Sequence, residues 1–131
     1  MGTDNTEQVR AFMGEYFAAL AVEKSPETVA KFVSSGALKD HIATFEAAFP
    51  GYQLDVHDLI VQAGETSKVA VDMTVTGTYN GSWGMGVAGS EISLHAIYLY
   101  DVAGGKIVGF QGQPDTAKLY QDIGMKLVPA S

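Results

Sequence analysis

The spacing of apolar residues changes once along this chain, from a helical period to a period of two. Val9, Phe12, Met13, Tyr16, Phe17 and Leu20 fall at i, i+3, i+4, i+7, i+8 and i+11. That continuous stripe predicts a first helix near 5–23. Asp4, Asn5 and Thr6 offer capping side chains, and Glu7 stands three residues after Asp4 as in a capping box. Ser25-Pro26-Glu27 starts a second helix, because serine caps, proline suits the first turn and glutamate suits the dipole. That helix carries Val29, Phe32 and Val33 inward, and Gly36 is expected to break it. Leu38, Ile42, Phe45 and Phe49 form a third stripe that ends at Pro50-Gly51.

From Tyr52 onward the pattern is that of strands. Tyr52–Gln62 alternates through Leu54 and Val56 and again through Leu59–Val61, and Gly64-Glu65-Thr66-Ser67 turns the chain. Lys68–Tyr79 puts Val69, Val71, Met73 and Val75 on one face, and Ala70, Asp72, Thr74 and Thr76 on the other. Asn80–Ser90 contains four glycines and reads as a mobile loop with Trp83 and Met85 at its tip. Glu91–Tyr100 and Lys106–Gln113 form a hairpin, and Asp115 caps a last helix, Thr116–Ile123, that Gly124 ends. Three helices, four consecutive strands and a short C-terminal helix argue for an α+β fold in a single domain over 1–131. Four twisted antiparallel strands packed on helices curl into a cone-shaped sheet, which leaves a pocket between its concave face and the first helix.

Composition narrows the function classes. The 131 residues are 47% hydrophobic and 18% charged, which suits one well-filled core. The net charge of −7 and the lack of any Lys/Arg cluster argue against nucleic acid as a partner. The chain has no cysteine, so disulfides, thiol nucleophiles and cysteine-based zinc sites are out. Met1–Gln8 is polar and no apolar run approaches a membrane span, so a cytoplasmic protein with no membrane partner is expected. Histidines and acids show no metal-ligand spacing, and no metal or other cofactor is expected. The GMGVAG run at 84–89 has the letters of a dinucleotide fingerprint, but a strand follows it and not a helix.

Two segments carry a family resemblance: GALKDHIATFEAAFPGYQLDVHDLIVQAGETSKVAVDMTVTGTYNG at 36–81 and GGKIVGFQGQPDTAKLYQDIG at 104–124. They resemble SnoaL-like polyketide cyclases, of the superfamily that includes nuclear transport factor two and ketosteroid isomerase. The resemblance implies a cone-shaped α+β barrel and metal-free enolate chemistry on a polyketide- or steroid-like ketone. It also implies a catalytic aspartate two residues before the Pro-Asp pair, a position held here by Gly112. The isomerases of the superfamily pair a helix-one tyrosine with a group in the third long strand, and those positions fall at Tyr16 and Tyr98. The segment that bears the isomerase base is shortened here to about Val33–Leu38 and contains no acid.

The candidate residues follow. Tyr16 and Tyr98 are expected to donate hydrogen bonds to an oxyanion. Asp72 sits either on the outer face or as a lone carboxylate inside the sheet, and in the second case desolvation would make it the base. His95 is the alternative base because an imidazole can take up a proton near neutral pH, although an inward Tyr98 sends His95 to the other face. Phe12, Gly112, Trp83 and Met85 are candidate ligand contacts, the last two as a lid or as a contact with a neighbouring subunit. His41 and His57 read as isolated, with His41 solvated beside Asp40. The expected partners are a small apolar ligand and a second copy of the chain, docked through Ser93, His95, Ile97 and Leu99. Two functions stay open: a cyclase or isomerase, and a non-catalytic ligand-binding or assembly module.

Overall fold

The computed structural model describes residues 5–112 and 114–125. The order is α1 (Thr6–Val22), α2 (Pro26–Phe32), α3 (Gly36–Ala48), β1 (Gln53–Gln62), β2 (Ser67–Thr78), β3 (Glu91–Ala103), β4 (Lys106–Gln111) and α4 (Thr116–Asp122). The strands form one curved antiparallel sheet in the order β1-β2-β3-β4. This is the α+β architecture that the apolar pattern predicts.

The two periods explain the packing. Val9, Met13, Tyr16 and Leu20 of α1 are buried, as are Leu38, Ile42, Phe45 and Ala48 of α3. They meet the inward side chains of the sheet, Val69, Val71, Met73 and Val75 from β2 and Ile92, Leu94, Ala96, Tyr98, Tyr100 and Val102 from β3. Burying each large apolar side chain contributes roughly 1.5–3 kcal/mol, so this shared face is the main source of stability. In β1 the alternation slips at Val56/Asp58, where a bulge leaves both His57 and Asp58 outside and returns Leu59 to the inner face.

Several boundaries differ from the sequence expectation. Gly36 does not break a helix; it opens α3, because the Ser35 side chain accepts a hydrogen bond from the Leu38 amide at 3.3 Å and caps that end. The break lies at Val33–Ser35, where the amides of Ser34 and Ser35 donate to the Ile107 carbonyl and tie the helices to β4. β3 runs to Ala103 and β4 stops at Gln111. Asn5 is the N-cap residue of α1 but makes no side-chain cap bond. Asp4 and Gln113 lie outside the described residues.

Beyond Leu99 the edge of β3 is paired with β4, while its earlier half is covered by the approach to α4. There Asp115 N–H donates to the His95 carbonyl, and Asp122 accepts from Ser93 N–H. A bare strand edge is a template for aggregation, and this cover removes it.

The glycine-rich segment between β2 and β3 is pinned to the body. The Tyr79 hydroxyl donates to the Met85 carbonyl and accepts from Trp83 N–H at 3.2 Å. Asn80 Nδ2 and Ser82 Oγ both donate to the Ala47 carbonyl, and Val87 N–H donates to the Ile123 carbonyl. The expectation of a mobile loop gives way to an anchored one, since Tyr79 is buried and holds two of its backbone groups. Replacing Tyr79 with phenylalanine keeps the ring and removes both bonds. We expect a loss of about 1–2 kcal/mol in a urea melt and faster amide exchange across 82–87.

Among the described residues no helix is long and apolar enough to cross a membrane.

Candidate active site

The inner face of the sheet and the first three helices enclose a cluster of four buried tyrosines. Tyr16 comes from α1, Tyr52 from the entry to β1, and Tyr98 and Tyr100 from successive inward positions of β3. Their rings are neighbours: Tyr16 lies 6.2 Å from Tyr100, and Tyr98 lies 6.3 Å from Tyr100. Burial raises the pKa of all four phenols well above the ordinary tyrosine range, and proximity to the other phenols raises those of Tyr16, Tyr52 and Tyr100 further. They stay protonated at any physiological pH and can only act as neutral donors or acceptors.

Their hydroxyls are short of partners. No described residue hydrogen-bonds to the hydroxyl of Tyr16, Tyr52 or Tyr100. Yet among the described residues every fully enclosed polar side-chain atom has a partner. None of the three hydroxyls is therefore fully enclosed. A hydroxyl without a protein partner can donate to water or to a ligand oxygen.

The fourth phenol meets an imidazole. Tyr98 Oη faces His41 Nε2 at 3.5 Å. His41 is half-buried on α3, with its ring 4.9 Å from Phe45 and 5.2 Å from Phe110. The expectation of a solvated His41 is thus corrected. It stands three residues after Leu38 and four before Phe45, on the buried side of α3, and Asp40 alone faces out. Burial among aromatic rings lowers its pKa below the ordinary histidine value, because the imidazolium would lose its hydration there. At neutral pH His41 is the uncharged imidazole a general base requires.

Trp83 extends this wall. Its ring packs edge-on against Phe49 at 5.3 Å and Phe45 at 6.3 Å, so it closes the end of the cluster one ring away from His41. Met85 contributes its carbonyl to Tyr79 and so belongs to the anchor of the segment. Phe12 packs at a tilt against Phe32 at 5.8 Å and borders a separate shallow cleft with Asn5, Glu65 and Gly104, whose lining includes none of the four tyrosines.

Asp72 and His95 lie on the opposite, outer face of the sheet. Asp72 is flanked by the inward Val71 and Met73, and His95 by Leu94 and Ala96. They pair with each other at 2.6 Å, both well exposed, while His57 contacts Thr74 Oγ1 at 2.6 Å on the same side. The sheet separates them from Tyr16 and Tyr98, so neither is a base for that interior. Among the described residues the one buried polar or charged side chain is Ser67, and no carboxylate is buried in the cluster.

Gly112 adds the reason an acid is absent after β4. Its φ is +118°, and a Cβ there would stand 2.7 Å from the Ile97 carbonyl oxygen and 3.1 Å from the Tyr98 ring. The chain crosses Tyr98 so closely that this position accepts only glycine.

Comparison with known proteins settles the lineage. The family model for SnoaL-like polyketide cyclases matches residues 4–123. The chain belongs to that family. Solved structures agree on the fold. AclR from Streptomyces galilaeus, a proposed hydroxylase, is 24% identical, with 94% of this chain and 85% of that chain covered and a TM-score of 0.73. TsrD from Streptomyces laurentii is 20% identical, with coverage of 91% and 96% and a TM-score of 0.70. A SnoaL-like polyketide cyclase from Agrobacterium tumefaciens is 15% identical, with coverage of 95% and 100% and a TM-score of 0.71. No curated protein matches the sequence. These likenesses establish the fold, on which this SnoaL-like chain carries a histidine–tyrosine pair inside and a glycine where the resemblance implies an aspartate.

Proposed function

We propose that this SnoaL-like protein is a metal-free cyclase or isomerase that acts on a polyketide- or steroid-like ketone, with His41 as its general base. The observation that carries the reading is the neutral His41 imidazole facing the Tyr98 hydroxyl, beside three phenols that lack protein partners. The ketone oxygen lies against Tyr98 or Tyr16, whose O–H groups donate to it. His41 Nε2 takes a proton from the carbon next to the carbonyl, and the C–H electron pair moves into the enolate. In an aldol closure that carbon attacks a second carbonyl carbon, and the imidazolium returns its proton to the new alkoxide. In an isomerisation the same proton returns to a different carbon. Hydrogen bonds that strengthen as charge reaches the oxygen lower the barrier in either case.

Deuterium exchange tests this. The protein is incubated in D2O with a neutral polycyclic 1,3-diketone, and mass spectrometry follows label at the carbon between the carbonyls. We expect exchange well above the buffer rate. Binding seen as a melting shift with no enhanced exchange supports the second reading, a ligand-binding module, which the lack of a buried carboxylate favours.

The outer face of the sheet suits a second copy of the chain. Ser93, His95, Ile97 and Leu99 are exposed along β3, with Ile97 at 55% and Leu99 at 43%, and Ile60 at 62% on the same side. Solution scattering is expected to give a dimer mass, and a monomer contradicts this part of the reading. A cysteine-free chain, with no helix among the described residues long and apolar enough to cross a membrane, suits the cytoplasm.

A further inference from the structure

We propose that Lys24 anchors a free carboxylate on the ligand, so that the protein selects an apolar polycyclic acid over its neutral ester. The inference rests on the reading above, from which it takes the apolar polycyclic body of the ligand. A groove of about 710 Å³ runs between α2 and α3, with Val29, Ile42 and Ala43 among its lining residues and Lys24 and Glu46 on its border. Lys24 also borders a smaller depression with Phe17, Leu20 and Leu54, so it stands where the groove meets the apolar seam between α1 and β1.

The lysine is half-buried, and its ammonium lies 4.7 Å from the centre of the Tyr52 ring. That contact satisfies part of the charge, but no carboxylate of a described residue comes within ion-pair distance of it. Glu46 acts on it only at longer range, because both Glu46 oxygens accept the Gly51 amide, at 3.0 and 3.1 Å. Lys39 and Asp40 sit on the exposed rim. The other half-buried lysine among the described residues, Lys106, caps the carbonyls of Ala30 and Lys31. Lys24 is thus the half-buried cation with a free donor set. Burial already lowers its pKa below the usual lysine value, which measures how far water has been removed from it. A ligand carboxylate restores the lost stabilisation through a charge-assisted hydrogen bond. Behind Lys24, the Tyr52 ring packs against Phe45, the ring that also contacts His41.

Calorimetry with anthraquinone-2-carboxylate and its methyl ester tests the anchor. On the wild-type protein the acid is expected to bind about tenfold or more tightly than the ester, as one charge-assisted hydrogen bond allows. In K24M the two Kd values converge, and in K24R the preference for the acid persists. Equal wild-type affinities, or a preference that survives K24M, overturn the anchor while diketone exchange still stands as the test of His41. If K24M does not fold, the wild-type ratio and K24R decide. If neither compound binds at millimolar concentration, the anchor and the apolar-ligand reading fall together.

Discussion

Replacing His41 with asparagine is expected to slow α-proton exchange of a bound diketone by about 10²–10⁴-fold, the usual range for removing a positioned general base. Asparagine keeps a polar group facing Tyr98 but cannot take a proton near neutral pH. Exchange should fall while ligand affinity changes little, because the aromatic wall of Phe45, Phe110 and Trp83 remains. His57→Asn, on the outer face, should leave exchange unchanged. Full exchange in the His41 variant would remove the base from the mechanism.

Introducing aspartate at Gly112 is expected to damage the fold, even though the resemblance implies an acid at that position. A side chain at φ +118° is strained, and its Cβ meets the Ile97 carbonyl at 2.7 Å. The combined effect should be about 3 kcal/mol, which lowers Tm by roughly 10 °C for a domain of this size. Gly112→Ala should reproduce most of the loss, since backbone and Cβ cause it. An aspartate variant with wild-type Tm and faster exchange would show that the chain after β4 can reopen to admit an acid.

Most of the fold was legible because each element obeys one period. The β2 and β3 alternations fix which side chains point inward, and with them the inward Tyr98 and the outward His95. The same alternation, with Val71 and Met73 inside, carries Asp72 outward. Even the slip in β1 is visible as Leu54–Val56 followed by Leu59–Val61 out of phase. The site was less legible. His41 falls between Leu38 and Phe45 at helical spacing, so its inward direction had a signal, but a polar residue beside Asp40 masks it. Nothing local marks Tyr52 and Lys24 as neighbours, because their contact joins the ends of different elements. The four glycines at 81–89 suggest mobility, whereas the decisive group is the hydroxyl of Tyr79 just before them. Gly112 reads as a missing acid, and only the close passage over Tyr98 shows why glycine stands there.

His41 is proposed as a half-buried, neutral base facing the ligand. The chain has three histidines, so imidazole NMR can follow each one through a pH titration with and without an anthraquinone ligand. His41 should titrate below its unfolded value of about 6.5. Its folded pKa is depressed, so the native state binds fewer protons than the unfolded chain below pH about 6.5. Stability from this group is therefore lost as pH falls from there toward the folded pKa. A depressed midpoint for His41 and ligand-induced shifts confined to its ring are expected. A His41 midpoint at or above the ordinary value, with ligand shifts at His57 or His95 instead, would contradict it.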